Sequence, residues 1–139
     1  MDTYERTRDE VIARLEAHQI LATPQRVEIA RVILHRRQHL SADQVLARVK
    51  QLGQRVSKAT IYNTLGLFAE KGLIREVIVD ATKVFYDSNT DPHHHFYNVD
   101  TGALTDFEAE QIAITSLPEL PAGTEAAGVD VVVRLRNQR

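Results

Sequence analysis

The chain has no cysteine and no tryptophan, and only one methionine, four prolines and six glycines among 139 residues. Without a thiol there can be no disulfide, thiolate zinc site, iron–sulfur cluster or cysteine nucleophile, so any metal must use nitrogen and oxygen donors. Long apolar runs are also missing, and nothing approaches the roughly 18–20 residues that a membrane span needs. The opening stretch MDTYERTRDEV is charged and has no apolar signal core, which implies the cytoplasm and no membrane partner. There is no P-loop, no G-x-S-x-G turn and no dinucleotide glycine fingerprint, so the expectation is that the chain is not an enzyme. What remains is a globular balance, 43% hydrophobic and 26% charged.

The formal net charge of −2 conceals an asymmetry. Residues 1–85 hold 14 Lys and Arg against 10 Asp and Glu, whereas residues 86–139 hold 3 against 9. A basic first part and an acidic second part imply two modules with different partners. The stretch between Ser88 and Pro92 reads as the linker. The expected organisation is therefore a first domain over 1–87, a linker over 88–92 and a second domain over 93–139.

Local patterns fill in these modules. Val11, Ile12 and Leu15 make one helical stripe within about residues 4–18. Thr23 followed by Pro24 is a helix start, predicting a helix that runs to about Arg36. Ser41 with Gln44 is a capping box, and Gly53 can end that helix. Ser57 caps the next helix, whose apolar stripe is Ile61, Leu65 and Phe68, and Gly72 stops it. The runs LIREVIVD and TKVFYD, around a turn at Asp80–Ala81, read as a β-hairpin. The second part offers a strand near 94–99, a turn at DTG, a strand at 103–107 and a short helix around 108–116. A Pro/Gly loop and a final strand, VDVVVRL, complete it, the strand's apolar run suggesting burial on both faces. The fold class is α+β: an N-terminal winged helix-turn-helix followed by a small α/β domain.

In a helix-turn-helix the second helix enters the major groove of duplex DNA, and its N-terminal residues meet bases and phosphates. That helix begins SKATIYNTL. Lys58 suits a phosphate, while Thr60, Tyr62 and Asn63 can reach base edges or backbone. Arg55 precedes the helix, and Lys83 on the wing is a further backbone contact.

Metal-ligating types gather where the basic and acidic modules meet. His39 lies between the second and third helices, Asp87 ends the hairpin, His93 and His95 follow the linker, and Asp106 ends the next strand. In a strand His93 and His95 share one face and His94 the other. A metal joining two modules is a physical route from metal concentration to DNA affinity.

The motifs TPQR, HLSAD, SKATIYNTL, GLI, HHHFYNVDTG and DF, in this order and spacing, resemble the ferric uptake regulator (Fur) superfamily over essentially the whole chain. The spacing of His39, Asp87, His93, His95 and Asp106 is similar to the regulatory site of its peroxide-sensing PerR branch. The bare triplet and the ending VVVRLR look more like the iron response regulator branch, Irr, whose triple-histidine segment is associated with haem sensing. The resemblance implies a homodimer, the second domain being its dimerisation and metal-sensing part, bound to a palindromic double-stranded DNA operator. It also implies a role in iron homeostasis, with haem or a haem-delivering protein as a further partner and His94 as a haem or accessory ligand.

Three imidazoles and two carboxylates suit manganese, iron or zinc. Many family members hold a structural zinc on two CxxC pairs, which this chain cannot do. Pro92 stands where iron-sensing members often have another histidine, so one metal site per protomer is expected. Five protein ligands leave little room for the water that a hydrolytic zinc site keeps. The PerR-like alternative is a peroxide-sensing repressor using metal-catalysed oxidation of its own histidines. A metal-dependent hydrolase, or a metal buffer with no DNA role, is the reading from a different class.

Overall fold

In the computed structural model, which describes residues 7–139, each of four α-helices begins on a hydroxyl side chain. Thr7 caps α1 (Arg8–Ala17), Thr23 caps α2 (Pro24–Ile33), Ser41 caps α3 (Ala42–Gln51) and Ser57 caps α4 (Lys58–Glu70). In every case the oxygen accepts the N–H of the third helical residue, satisfying a donor that the helix itself leaves unpaired. At α3 the capping box is complete, with Ser41 N–H donating to Gln44 Oε1 at 2.8 Å. The part of the predicted first helix before Thr7 lies outside the described residues.

Three of the four helix ends follow one rule. After α3 and α4 the chain turns through Gly53 and Gly72, both at positive φ, and the next N–H returns to the helix. Gln54 N–H reaches Val49 O, and Leu73 N–H reaches Phe68 O. These are Schellman ends, which place one residue in the left-handed region. α1 ends the same way, Ile20 N–H returning to Leu15 O, but there Gln19 takes the left-handed position at φ 61°.

The helix predicted to reach Arg36 stops at Ile33. The Gln38 side chain donates to Val32 O at 2.8 Å and Ile33 O at 3.2 Å, satisfying those terminal carbonyls. The segment so released forms β1 (His39–Ser41), which the sequence reading missed. It joins β3 (Lys83–Asp87) antiparallel, and β3 pairs with β2 (Arg75–Asp80), giving the sheet order β1-β3-β2. Asp80 Oδ1 accepts from the N–H and hydroxyl of Thr82, both at 2.8 Å, and shapes the hairpin turn. Val11, Leu15, Ile33, Val45, Ile61 and Phe68 are fully buried and tie the helices together, and Leu40 and Tyr86 of the sheet join that core. Burying side chains of this size is the main stabilising contribution here, about 1.5–3 kcal/mol for each large apolar one.

The chain divides into two compact units with the boundary between Thr90 and Asp91. In the second, β4 (His93–Asn98) is the central strand of a three-stranded sheet ordered β5-β4-β6. β5 (Leu104–Glu108) runs antiparallel to it and β6 (Val132–Leu135) parallel. Instead of a helix at 108–116 there is a single 3₁₀ turn, Ala109–Gln111, and Ile112 is already extended. Short helices need a packed apolar face, and no residue of this turn is buried. β-Branched Ile112, Ile114 and Thr115, followed by Pro118, disfavour helix further. β6 is shorter than predicted and lies at an edge, with Val133 and Leu135 37% and 38% exposed, so it is not covered on both faces within one chain. A polar clasp fastens its end: Asn98 Nδ2 donates to Asn137 Oδ1 and Asn137 N–H donates to Asp100 Oδ2, both at 2.8 Å.

Candidate metal centre and nucleic-acid interface

Strand alternation sorts the histidine triplet. His93 and His95 are buried on one face of β4, while His94 is half-buried on the other. The antiparallel register sets His95 opposite Asp106, so the carboxylate projects from the same face. Asp106 Oδ1 lies 3.2 Å from His95 Nε2 and 3.8 Å from His93 Nε2. The two rings are 4.6 Å apart between centroids, and one donor atom each from His93, His95 and Asp106 lies within 4.8 Å of the others.

The backbone orients one of these donors. His93 Nδ1 is 2.6 Å from the Asp91 carbonyl oxygen. A carbonyl only accepts, so Nδ1 carries a proton, and in the neutral ring Nε2, on the Asp106 side, is the nitrogen left to bind a metal. That is how metal-ligating histidines are usually held. Two imidazoles and a carboxylate, the rings nearly inaccessible and the carboxylate partly open to solvent, form a mixed donor set that fits manganese, iron or zinc.

Asp87 and His39 belong to the first unit. Asp87 is only 1% exposed and is flanked in register by His39 on one side and Arg75 on the other. The His39 ring packs edge-on against Phe85, with centroids 6.3 Å apart. Arg75, the basic neighbour of Asp87, was missed as a site residue. The signal was strand register, which appears only once β2 and β3 are aligned.

On the basic unit, α4 buries Ile61, Thr64, Leu65 and Phe68 and turns Lys58, Tyr62 and Asn63 outward. Its first turn has no acidic residue, so the positive end of the helix dipole is uncompensated, which suits a phosphate. A shallow depression lined by Lys50, Gly53, Gln54, Arg55, Val56 and Ser57 leads into that end. Thr60 is half-buried and accepts the Ser57 hydroxyl at 2.9 Å, so it serves the cap. Lys58 is exposed and paired with Asp43 at 3.1 Å, and its ammonium also lies 5.8 Å from the Tyr62 ring centroid. Asp43 was another omission, because the pair depends on how α3 and α4 cross. Arg55 and Lys83 are exposed. No described helix is long and apolar enough to cross a membrane.

The model of the ferric uptake regulator family matches residues 17–126. The peroxide-responsive repressor PerR of Staphylococcus aureus (strain Mu50 / ATCC 700699) is 30% identical over 112 residues, covering 81% of this chain and 76% of that protein. The Vibrio cholerae ferric uptake regulator has a TM-score of 0.72 at 19% identity, covering 91% of this chain and 98% of its own. The Pseudomonas aeruginosa ferric uptake regulator with manganese gives 0.68 at 22% identity, covering 91% and 97%. At such identities the structural likeness is one of fold.

Proposed function

The chain belongs to the ferric uptake regulator family of metal-responsive transcription regulators, and from that premise we propose that it is a cytoplasmic regulator of iron homeostasis that binds a palindromic operator as a dimer. The observation that carries the reading is the convergence of His93, His95 and Asp106, with His93 already held in a ligand-ready tautomer. Asp87, six positions before His93, is the donor we assign from the first unit, with His39 beside it. A divalent ion bound there supplies concentrated positive charge and directed coordination. The chain's own part is to orient the histidine rings and to keep two carboxylates at hand.

DNA contact falls to Lys58, Tyr62, Asn63 and Arg55 at α4, with Lys83 on the wing and Thr60 supporting the cap. The second unit offers an apolar face of Phe96, Phe107, Val133 and Leu135, in which the two aromatic centroids are 4.7 Å apart. A second copy of the chain is the occupant we assign to that face. The contiguous triplet and the ending VVVRLR favour the iron-responsive branch. Haem as the signal depends on His94, whose ring the backbone already engages.

A second reading is favoured by the peroxide-responsive relative. In it the histidine rings at the site are the groups that peroxide modifies. Mass spectrometry of the iron-loaded protein after peroxide treatment decides between them, since no gain of oxygen on His39 or His93 removes that reading.

The main test is binding to a duplex from the protein's own promoter region, before and after chelation. The regulator reading expects preference over random duplex, affinity that falls steeply with salt, and a change on chelation. Equal binding to random duplex, indifferent to chelation, overturns it.

A further inference from the structure

His93 and His94 are neighbours, yet the backbone fixes them in opposite tautomers. The Val131 N–H donates to His94 Nδ1 at 3.1 Å. An amide N–H only donates, so Nδ1 must be the unprotonated nitrogen, and a neutral imidazole then carries its proton on Nε2. His93 is the reverse, with Nδ1 donating to the Asp91 carbonyl. The ring that presents a lone pair at Nε2 is His93; the His94 lone pair is already committed to the chain.

That commitment falls at a particular place. Val131 is the last residue before β6, at the end of a long irregular segment that follows the 3₁₀ turn. His94 takes its N–H, and the His95 N–H donates to its carbonyl at 3.1 Å, so consecutive residues of β4 hold both polar groups of Val131. The ladder between β4 and β6 then starts at His95 and Val132. Closing a long loop onto an edge strand of four residues is entropically unfavourable. A side-chain acceptor at the first point of contact offsets part of that cost. The His94 ring is itself steadied by Phe107, its register partner on β5, at 5.6 Å between centroids.

We propose that His94 is a positioning residue, a latch that seats β6 against the strand bearing His93 and His95, and that its ring can ligate a metal centre only when the latch opens. Either nitrogen would have to be released first: Nδ1 from Val131, or Nε2 from its proton by a tautomer shift that breaks the same hydrogen bond. The latch does not rest on metal binding at His93 and His95, so the two ideas fail separately. It makes seating of β6 and ligation of a metal by His94 mutually exclusive.

The test uses the full-length protein. Long-range proton–nitrogen correlation spectra should show the His94 proton on Nε2, and a proton on Nδ1 overturns the proposal. His94→Ala should speed exchange of the Val131 amide hydrogen by about fivefold to tenfold, the scale of one lost hydrogen bond. His94→Asn keeps an acceptor oxygen where Nδ1 stood and should bring exchange back toward the wild-type rate. Manganese affinity should stay within about threefold in both variants, because removing a side chain that binds the ion directly weakens binding far more. Equal exchange in the Ala and Asn variants, or loss of manganese binding in both, overturns the latch. If the alanine variant does not fold, the wild-type tautomer decides alone.

Discussion

Lys58, the first residue of α4, is held by Asp43 in the first turn of α3, with Nζ 3.1 Å from Oδ1 and both side chains exposed. The hydrogen bond from the ammonium to Asp43, and then the carboxylate's charge, raise the lysine's pKa above its ordinary value. Exposed pairs contribute little to stability, so this one matters more for what Lys58 does when a phosphate arrives. The phosphate must displace Asp43. Asp43→Asn should raise affinity for a duplex severalfold at low salt and leave the melting temperature nearly unchanged. Lys58→Ala should flatten the dependence of log affinity on log salt by about 0.9, the share of one phosphate contact. Identical salt slopes for wild type and Lys58→Ala would take Lys58 out of the interface.

The convergent donors predict a ranking. His95→Ala and Asp106→Asn should each weaken manganese binding by at least about tenfold in a calorimetric titration. His39→Ala should cost less, because the His39 ring already packs edge-on against Phe85. A His39→Ala loss as large as that of His95→Ala would overturn the ranking.

The sequence was most legible where chemistry is local. Thr23 before Pro24, the Ser41–Gln44 box and Ser57 are caps whose geometry depends on three or four consecutive residues, and all appear where the residue types predict. The alternation of His93, His94 and His95 is equally local, since a strand's period decides it. What escaped is what distant residues decide. Gln38 ends α2 early through its own side chain, and β1 exists because β3 is there to pair with it. Asp43 meets Lys58 only through the crossing of α3 and α4. The expected helix at 108–116 rested on a short stretch without a packing partner, and its β-branched residues prevailed.

The clasp at the end of β6 predicts how the second unit answers metal removal. No cysteine is present to hold a structural zinc, and Asn98, Asp100 and Asn137 fasten the end of the chain by hydrogen bonds instead. Chelation should lower the melting temperature only by the linkage that a bound ligand confers, leaving the far-ultraviolet circular dichroism intact at room temperature. Asn137→Ala should destabilise by about 0.5–1.5 kcal/mol. Cooperative loss of β signal on chelation alone would show that a metal, not the clasp, holds the sheet.

Alkaline pH should loosen the first unit. Burial of Tyr86, with a smaller effect from Glu76, raises its phenol pKa. Above about pH 10 the unfolded chain loses this proton before the folded chain does. The folded state then binds more protons, so stability falls as pH rises. Lys58, also raised, acts in the same direction. Urea midpoints measured between neutral pH and about pH 11 should decline, and Tyr86→Phe should decline less. An equal decline in the phenylalanine variant would remove Tyr86 as a cause.

Gln19 offers a test of backbone strain that involves no ligand. It occupies the left-handed position of a Schellman end at φ 61°, where Gly53 and Gly72 stand in the equivalent turns after α3 and α4. That conformation costs a residue with a Cβ about 1–2 kcal/mol. Glycine avoids the clash but loses roughly 0.5–1 kcal/mol through its freer unfolded chain. Gln19→Gly should therefore stabilise the first unit by about 0.5–1 kcal/mol, the difference between those two effects. Gln19→Ala keeps the Cβ and should bring no such gain. Urea unfolding of the two variants side by side checks the sign, and a glycine variant no more stable than the alanine one would mean that the turn stores no strain.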